Sequence, residues 1–328
     1  AVLDEHLGYW KERLAGLPKL ELATDRRRPP VPSHAGAVAV VGLQSRLGQQ
    51  LESLSRGDGA TLFMTLLSAF FVLLQRYSAQ GDLAVGSPIA NRAREELEGL
   101  IGFFANMLVL RADLSGDPTF RELLAQVKRT ALEAYEHQDL SFERLVEELD
   151  PARDASRNPL FQVSFALQNA TRDDLVPEGG AQCHEPPSLR FQLVPGEITT
   201  SRFDLEVFVR DTGEGLDVAI VYATDLFDAA TMRRMLGHYE RVLEAVVANP
   251  EGRISEVALL DEAERRQVLV EWNATGTAYP RDSSIGSLFE AQAGRTPEAV
   301  AVAYDGNHLS YRELDERSTC LAHHLRGL

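Results

Sequence analysis

The stretch EHQDLSFERLVEELDPARDASRN, residues 136–158, places a polar triplet, a short amphipathic segment and an Arg-rich turn next to one another. His137, Gln138 and Asp139 form the triplet. His137 lies beside an acid in a polar cluster and is therefore a candidate general base. The structural alternative is that the triplet ends one helix and that Asp139 caps the next helix, residues 140–149, by accepting backbone N–H bonds. We favour this structural interpretation.

The turn that follows is built from charged and amide side chains, which can bridge backbone groups of neighbouring segments. A mainly structural role is favoured for this turn as well. Its polar residues are Arg153, Asp154, Ser156, Arg157 and Asn158.

Composition narrows the class of protein. The 328 residues are 44% apolar and 25% charged, which indicates a soluble globular chain with one large or two ordinary domains. A formal net charge of −16 argues against nucleic acid and anionic membranes as partners. Cys183 and Cys320 have no zinc-type or disulfide-type spacing, which fits a reducing cytoplasm. The most apolar run, residues 62–74, is shorter than the about 20 residues that span a bilayer.

Hydrophobic periodicity predicts both strands and helices in the first 250 residues. Asp117-Pro118 is predicted to start one helix and Asp228 to cap another. The segment TDRRRPPVP, residues 24–32, is predicted to be an extended connector with a solvated arginine run. Strands are expected at residues 38–43, 83–90, 103–110, 160–167, 203–210 and 216–223, with helices at residues 4–14, 44–55, 62–77, 118–135, 140–149 and 229–246.

Composition changes near Asp261. Residues 261–282 combine a charged helix with a Gly, Thr, Pro and Ser segment, which is typical of a linker. A second domain is predicted from residue 283 onward. Within it, Ser310, Tyr311 and Glu313 open a helix, with Ser310 and Glu313 as its capping box.

Searches for self-contained active sites find no GxSxG, GxGxxG, GxxxxGK[ST] or HExxH pattern. His323 and His324 are adjacent, but they lie in a predicted helix without an orienting acid. We therefore interpret them as solvated.

Four motifs occur in order along the chain: IGFFANMLVLR at residues 101–111, HQDLSFE at 137–143, RDASRNPL at 153–160 and LSYREL at 309–314. Together they resemble the C-terminal lobe of a nonribosomal peptide synthetase condensation domain followed by the start of an adenylation domain.

The resemblance implies a chloramphenicol acetyltransferase-like α/β fold, with a mixed sheet, flanking helices and an incomplete adenylation N-terminus. It implies that residues 1–50 end the N-terminal lobe and cross over, that residues 51–260 form the C-terminal lobe, that residues 261–282 are the linker and that residues 283–328 start the adenylation domain. In this family, two lobes enclose a tunnel in which the second histidine of HHxxxDG, on the N-terminal lobe, positions or deprotonates the acceptor amine. That motif is expected before residue 1, so no catalytic residue is assigned within this chain.

The resemblance also assigns supporting roles. Arg92, in SPIANR, corresponds to the arginine that pairs with the Asp of HHxxxDG. Asn106 and Met107 correspond to the Asn-Thr of the usual GxFVNT pattern on the acceptor side of the tunnel, and Ala105 and Met107 depart from that pattern. Residues 137–143 and 153–158 match motifs regarded as supporting. Ser310, Tyr311 and Glu313 belong to the opening adenylation motif.

The implied partners are upstream and downstream peptidyl carrier proteins, the N-terminal condensation lobe and the rest of the adenylation domain. No cofactor is expected to bind directly, because phosphopantetheine belongs to the carriers and ATP and Mg²⁺ to the later part of the adenylation domain. Two alternatives stay open: the C-terminal lobe of an epimerisation domain, and a docking platform that performs no chemistry.

Overall fold

The computed structural model describes residues 2–92, 96, 99–149, 154–168, 198–212, 215–278 and 281–328. Its contacts divide the chain into two units, Ala1–Asp261 and Glu262–Leu328. In the first unit the described helices are α1 (Val2–Arg13), α2 (Ser45–Gly57), α3 (Leu62–Ser78), α4 (Phe120–Glu136), α5 (Phe142–Leu149) and α6 (Ala229–Ala248). The strands are β1 (Gly36–Leu43), β2 (Asp82–Ile89), β3 (Asn106–Asp113), β4 (Val163–Gln168), β5 (Leu205–Asp211) and β6 (Leu216–Ala223).

The six strands form one mixed sheet in the order β1-β6-β5-β4-β2-β3. Strand β4 runs parallel to both β2 and β5, whereas the other neighbouring pairs are antiparallel. The strands predicted at residues 203–210 and 216–223 are present as β5 and β6, which form an antiparallel pair with Leu205 opposite Tyr222. The α/β prediction with a mixed sheet is therefore confirmed.

Helix α3 occupies the centre of the core. Every side chain from Met64 to Leu74 is buried, as the apolar run predicted. The helix contacts α2, α4 and α6, while α4 also packs on β3 and α6 on β1. A helix that is apolar around its whole circumference needs such surroundings, because no face of it can be left in water. Helices α1 and α5 contact each other, and α5 also contacts β3.

The first fifty residues are integrated into this unit. Strand β1 pairs along its full length with β6, from Gly36 opposite Ala223 to Leu43 opposite Leu216, and α2 packs against α3 and α6. The contacts show no division at residue 50. The assignment of residues 1–50 to a preceding lobe in a longer protein stays a prediction.

Of two predicted helix starts, the one at Asp117 was wrong and the one at Asp228 was right in position. Helix α4 begins after Thr119, which forms a capping box with Glu122, whereas Asp117 has a positive φ of 48° and accepts hydrogen bonds from Ser255. At α6 the position of Asp228 is right, but its side chain makes no capping bond. The carboxylate of Asp25 reaches the start of α6 instead, accepting from the backbone N–H of Asp228 at 2.8 Å and from the hydroxyl of Thr231 at 2.9 Å.

The second unit contains α7 (Glu262–Arg266), a π-helical turn (Gln267–Glu271), α8 (Ile285–Arg295), the hairpin β7 (Val300–Tyr304) and β8 (Asn307–Ser310), and α9 (Tyr311–Arg326). Ser310 and Glu313 form the predicted capping box, with the Glu313 N–H donating to Ser310 Oγ at 3.2 Å. Apolar side chains of this unit are largely exposed, among them Ile285, Tyr304 and Leu325.

No single helix among the described residues has the length and apolar composition to cross a membrane. Helices α2 and α3 meet those two criteria only when taken together, as a pair bent by 105°.

Gly86 provides a test of the packing between β2 and the residues before β4. A Cβ added there would lie 2.2 Å from a ring atom of the buried Phe161. We expect Gly86→Ala to lower the free energy of unfolding by about 1–3 kcal/mol in urea titrations, because the ring has to move within a packed core.

Gly237 is the matched control. It lies inside α6, and an added Cβ would meet nothing within 4 Å. Gly237→Ala is expected to raise the free energy of unfolding by roughly 0.5–1 kcal/mol, through helix propensity alone. Equal effects of the two substitutions would contradict this account of the core.

Candidate functional site

Asn106 joins β3 to the HQD turn, residues 137–141. Its amide nitrogen donates to the backbone carbonyls of Gln138 and Leu140, both at 2.9 Å. Its amide oxygen accepts from the N–H of Met107 at 2.9 Å and from that of Phe142 at 3.0 Å. Asn106 is buried. Both ends of the amide are therefore used, which a polar side chain buried in an otherwise apolar run requires.

His137 is the C-cap residue of α4 and packs against α1. Its Nδ1 lies 2.7 Å from Nδ1 of His6, its ring stacks on Tyr9 with centroids 4.0 Å apart, and its carbonyl accepts from Nε1 of Trp10 at 3.1 Å. Three residues of one helical face thus hold this histidine. The structural interpretation of His137 fits these contacts, because the ring is engaged on its face and on Nδ1.

Gln138 and Asp139 differ in what they contribute. Gln138 supplies the backbone carbonyl that Asn106 binds. The expectation that Asp139 caps the following helix was wrong: α5 begins at Phe142, and Ser141 Oγ accepts from the N–H of Arg144 at 3.4 Å. The Phe142 N–H is taken by Asn106, so a side chain from another strand performs part of the capping.

The turn at residues 154–158 ties together segments that are distant in sequence. Asp154 Oδ1 accepts from both the N–H and the hydroxyl of Ser156, at 3.0 and 2.7 Å, and these bonds lower the pKa of the Asp154 carboxyl. Arg157 donates to the carbonyl of Leu20 at 3.1 Å and to Glu21 at 2.7 Å. Asn158 donates to the carbonyl of Arg202 at 2.8 Å. Arg153 lies outside the described residues.

The sequence analysis predicted a solvated arginine run and therefore missed the structural role of Arg28. Its guanidinium binds Asp204 through two bonds, at 2.8 and 2.5 Å, and also donates to the carbonyl of Ser156 at 3.2 Å. Only 17% of the Arg28 side chain and 11% of the Asp204 side chain are exposed. The hydrogen bonds that Arg28 donates to the Asp204 carboxylate raise the pKa of Arg28. Arg26 is anchored as well, on the carbonyls of Thr224 and Phe227.

A sequence signal for these anchors existed. Arg26 and Arg28 are two residues apart in a segment that prolines keep extended. Their side chains are therefore expected on the same side of the backbone. What the sequence could not supply was the partner, because Asp204 is 176 positions away.

Arg92 lies after β2 and contacts its own loop. It donates to the carbonyls of Leu100 at 2.8 Å and Gly102 at 3.3 Å, and its guanidinium lies 4.5 Å from the centroid of the Phe104 ring. Ile101 and Phe103 on the same loop are almost fully exposed. Met107 is half-buried next to Asn106. The structure thus places Arg92, Asn106 and Met107 at the ends of the paired strands β2 and β3, where Ile89 pairs with Asn106.

A cavity of about 810 Å³ opens beside His137, between α1, α4 and β3. The Tyr9 hydroxyl and Arg13 Nε are buried there without a hydrogen-bond partner, and burial raises the pKa of Tyr9 to about 12. Arg111 lines the same cavity. It binds Asp82 through two bonds, at 2.8 and 2.6 Å, and donates to the carbonyls of Arg13 and Ala15 at the end of α1, at 2.9 Å each.

In the second unit, Ser310 and Glu313 act on the start of α9. The bonds from the Ser310 N–H and hydroxyl lower the pKa of Glu313. Tyr311 packs near Phe289, with centroids 5.9 Å apart. No group of three or more His, Cys, Asp or Glu residues able to hold a metal ion occurs in the part of the chain that the structure describes.

Comparison with known proteins gives consistent matches. The family model described as Condensation domain matches residues 2–269. The chain is 48% identical over 326 residues to one of the polypeptides of linear gramicidin synthase from Brevibacillus parabrevis and 45% identical over 328 residues to chondramide synthase cmdD of Chondromyces crocatus. These alignments cover 99% of this chain but only 6% and 8% of those proteins, so the chain spans a small part of their length.

Two solved structures are similar in fold. A four-domain nonribosomal peptide synthetase bound to AMP and glycine superposes with a TM-score of 0.75 at 26% identity, covering 100% of this chain and 25% of that one. The X-domain from teicoplanin biosynthesis gives 0.70 at 31% identity, covering 79% of this chain and 58% of that one. The similarity to the first of these extends beyond residue 269.

Asn106→Ala tests the connection between β3 and the HQD turn. The substitution leaves the carbonyls of Gln138 and Leu140 and the Phe142 N–H without their partner. We expect the free energy of unfolding to fall by about 2–4 kcal/mol, because each buried unpaired group costs about 1–3 kcal/mol and some of them will reach water.

Gln138→Ala is the control, because Gln138 enters this network through its main chain. We expect a change within about 0.5 kcal/mol in the same urea titration. A loss at Gln138 as large as that at Asn106 would show that the side chains of the triplet, rather than its backbone, are bound.

Arg28→Ala and Arg27→Ala compare an anchored arginine with its neighbour. Arg28→Ala leaves the largely buried Asp204 carboxylate without its bidentate partner, so we expect a loss of about 3–5 kcal/mol in unfolding free energy. Arg27→Ala should change it by less than about 0.5 kcal/mol, since Arg27 is an exposed side chain. Similar small values for both would restore the prediction of a solvated connector.

Proposed function

Because this chain belongs to the condensation domain family of nonribosomal peptide synthetases, we propose that it is the C-terminal part of a condensation domain followed by the start of an adenylation domain. In the complete domain, the amine of an acceptor aminoacyl thioester attacks the carbonyl of a donor thioester. An amide bond forms, the carbon–sulfur bond of the donor breaks, and the donor carrier's phosphopantetheine thiol is released. The family match over residues 2–269 is the observation that carries this proposal.

In the proposed arrangement, this chain supplies one wall of the tunnel and the preceding lobe supplies the HHxxxDG histidine. The packing of His137 supports this division of roles. A general base needs a nitrogen that can reach the substrate, whereas His137 is held by His6, Tyr9 and Trp10 of α1. Residues 137–143 and 154–158 then act by holding the wall in shape.

Arg92 is proposed to orient the HHxxxDG loop by pairing with its Asp. A planar guanidinium fixes the direction of a carboxylate as well as its charge. Its present contacts support this role, because two loop carbonyls and the Phe104 ring hold the side chain near the exposed loop at residues 99–105. Ile101 and Phe103 would be covered by the preceding lobe, since apolar surface of this kind marks an interaction site.

Asn106 and Met107 are proposed to lie on the acceptor side of the tunnel. The side-chain amide of Asn106 is bound to the HQD turn. Met107, half-buried beside it, is therefore the residue of the pair that would contact substrate. Thioether side chains adapt to irregular surfaces, which suits a pocket that admits a range of side chains.

Residues 283–328 are proposed to open the adenylation domain, with residues 261–282 as the linker. The exposed apolar side chains of α8, β7 and α9 support this, because a larger domain would bury them. The solved synthetase with a fold match to the whole chain was bound to AMP and glycine. We propose that ATP and Mg²⁺ bind the later part of this domain and that this chain meets phosphopantetheine only on peptidyl carrier proteins. Cytoplasmic localisation is part of the same proposal.

The proposed function is tested with a longer protein that includes the in-frame upstream sequence. Loaded with donor and acceptor aminoacyl carriers, it should form the dipeptidyl thioester, detected by mass spectrometry. Carrier binding without any peptide would favour the docking platform, and inversion of a carrier-bound residue would favour an epimerisation lobe. An upstream frame without HHxxxDG would contradict the proposed mechanism.

Arg92→Ala in that longer protein should lower the rate of condensation by about tenfold to a hundredfold, because a misplaced catalytic loop loses the benefit of orientation. Its unfolding midpoint should stay near that of the unsubstituted protein. Arg144→Ala is the control, since Arg144 is an exposed arginine of the same unit that pairs with Glu148. Unchanged turnover in Arg92→Ala would contradict the proposed role.

A further inference from the structure

The contact between His6 and His137 joins helix α1 to the HQD turn through two imidazole nitrogens of the same kind. The two Nδ1 atoms are 2.7 Å apart, and the rings meet edge to face with centroids separated by 5.0 Å. A hydrogen bond between two Nδ1 atoms requires that one carries a proton and the other presents a lone pair. This contact therefore tolerates one proton between the two atoms but not two.

His6 is positioned for this contact by the helix. His6, Tyr9 and Trp10 are three and four residues apart, so they share one face of α1, and all three contact His137. His6 and Trp10 are buried, with exposed fractions of 9% and 2%.

From His137 the connection continues into the sheet. The next residue, Gln138, presents its carbonyl to Asn106, which also binds Leu140, Phe142 and Met107. Any displacement of His137 therefore acts on the amide that fixes the start of β3.

We propose that His6 is a positioning residue: its ring shares a single proton with His137, holds the HQD turn against α1, and releases that turn when both rings are protonated. The release of the HQD turn does not depend on any catalytic role of His137, Gln138 or Asp139. The link to the acceptor side of a tunnel, through Asn106 and Met107, rests on the proposed function.

The direction of the pH effect follows from the geometry. The docked pair binds at most one proton at the shared position, whereas separated rings can each bind one, so acidification favours separation. Imidazoles ordinarily change charge between about pH 5 and pH 8. Charged and titratable groups lie on every element packed around the pair. They include Tyr9, Lys11, Glu12 and Arg13 of α1, Glu133 and Glu136 of α4, Asp139 of the turn, Arg144 and Glu148 of α5, Asp82 of β2, and Arg111 and Asp113 of β3. Acids and bases are both present around the pair, and neither sign allows two protons between the facing nitrogens.

The test uses the 328-residue chain carrying Trp272→Phe. The chain has two tryptophans, so Trp10 then becomes the sole indole, and it reports on the face of α1 that binds His137. Accessibility of Trp10 to acrylamide is measured between about pH 8 and pH 5, together with hydrogen exchange of the N–H groups of Phe142 and Met107, corrected for intrinsic exchange rates. We expect both readouts to show opening on acidification while far-ultraviolet circular dichroism stays constant.

Two substitutions separate positioning from packing. An Asn side chain places an amide near the position of Nδ1 and does not titrate, so His6→Asn should keep the turn protected and abolish the pH dependence. His6→Leu removes the hydrogen bond. Near pH 8 it should already show the hydrogen exchange and acrylamide quenching that the chain with His6 unchanged shows only in acid. At that pH the Phe142 N–H should exchange at least about tenfold faster than it does in the chain with His6 unchanged.

His323→Asn, in the second unit, is the control for loss of an unrelated histidine and should leave both pH curves unchanged. The proposal is overturned if the His6 chain shows no transition, if His6→Asn shows the same transition, or if His6→Leu leaves Phe142 and Met107 protected. A longer protein that fails to make peptide would contradict the proposed function without affecting these exchange results.

Discussion

A single carboxamide, that of Asn106, determines how the rest of the candidate site is held. It is buried at the start of the edge strand β3 and forms four hydrogen bonds, two of them to the turn between α4 and α5 and a third to the first residue of α5. An amide with two donors and two acceptor lone pairs can satisfy a turn whose own backbone groups have no helical partners. The turn fixes the position of His137, and His137 packs against α1. Three elements thus depend on one side chain for their relative placement.

Side chains also bind the backbone groups on the edge of β3 that faces away from β2. An edge strand presents unpaired backbone groups, which invite association with another strand unless they are covered. Here side chains cover several of them. Asn106 accepts from Met107, Thr130 of α4 donates to the carbonyl of Arg111 at 3.4 Å, and Gln126 of α4 accepts from the N–H of Asp113 at 3.2 Å. Helix α4 therefore packs on the sheet with one face and protects its edge with polar side chains of the same helix.

The sequence was sufficient for the elements and insufficient for their partners. The fully buried α3, the β5–β6 hairpin and the Ser310 capping box followed from local periodicity and capping chemistry, which depend on residues close in sequence. The caps predicted at Asp117 and Asp139 were wrong, because Thr119, and Ser141 with Asn106, bind the first N–H groups of those helices. Asp228 is the N-cap residue of α6 as predicted, although its side chain makes no capping bond. At α5 the decisive side chain, that of Asn106, comes from a distant segment. Arg28 was missed for the same reason, and the contact of His6 with His137 spans 131 positions.

The pairing of β1 with β6 has a consequence for how such a chain is made. Gly36 finds its partner only when Ala223 has been synthesised, and the strand that begins at Gly36 carries the apolar sequence GAVAVVGL. At about 5–20 residues per second, that strand waits on the order of 10–40 s on the ribosome before its neighbour emerges. During this interval its apolar side chains are available to chaperones or to other nascent chains. In any protein that repeats this domain, the same interval recurs each time the domain is synthesised.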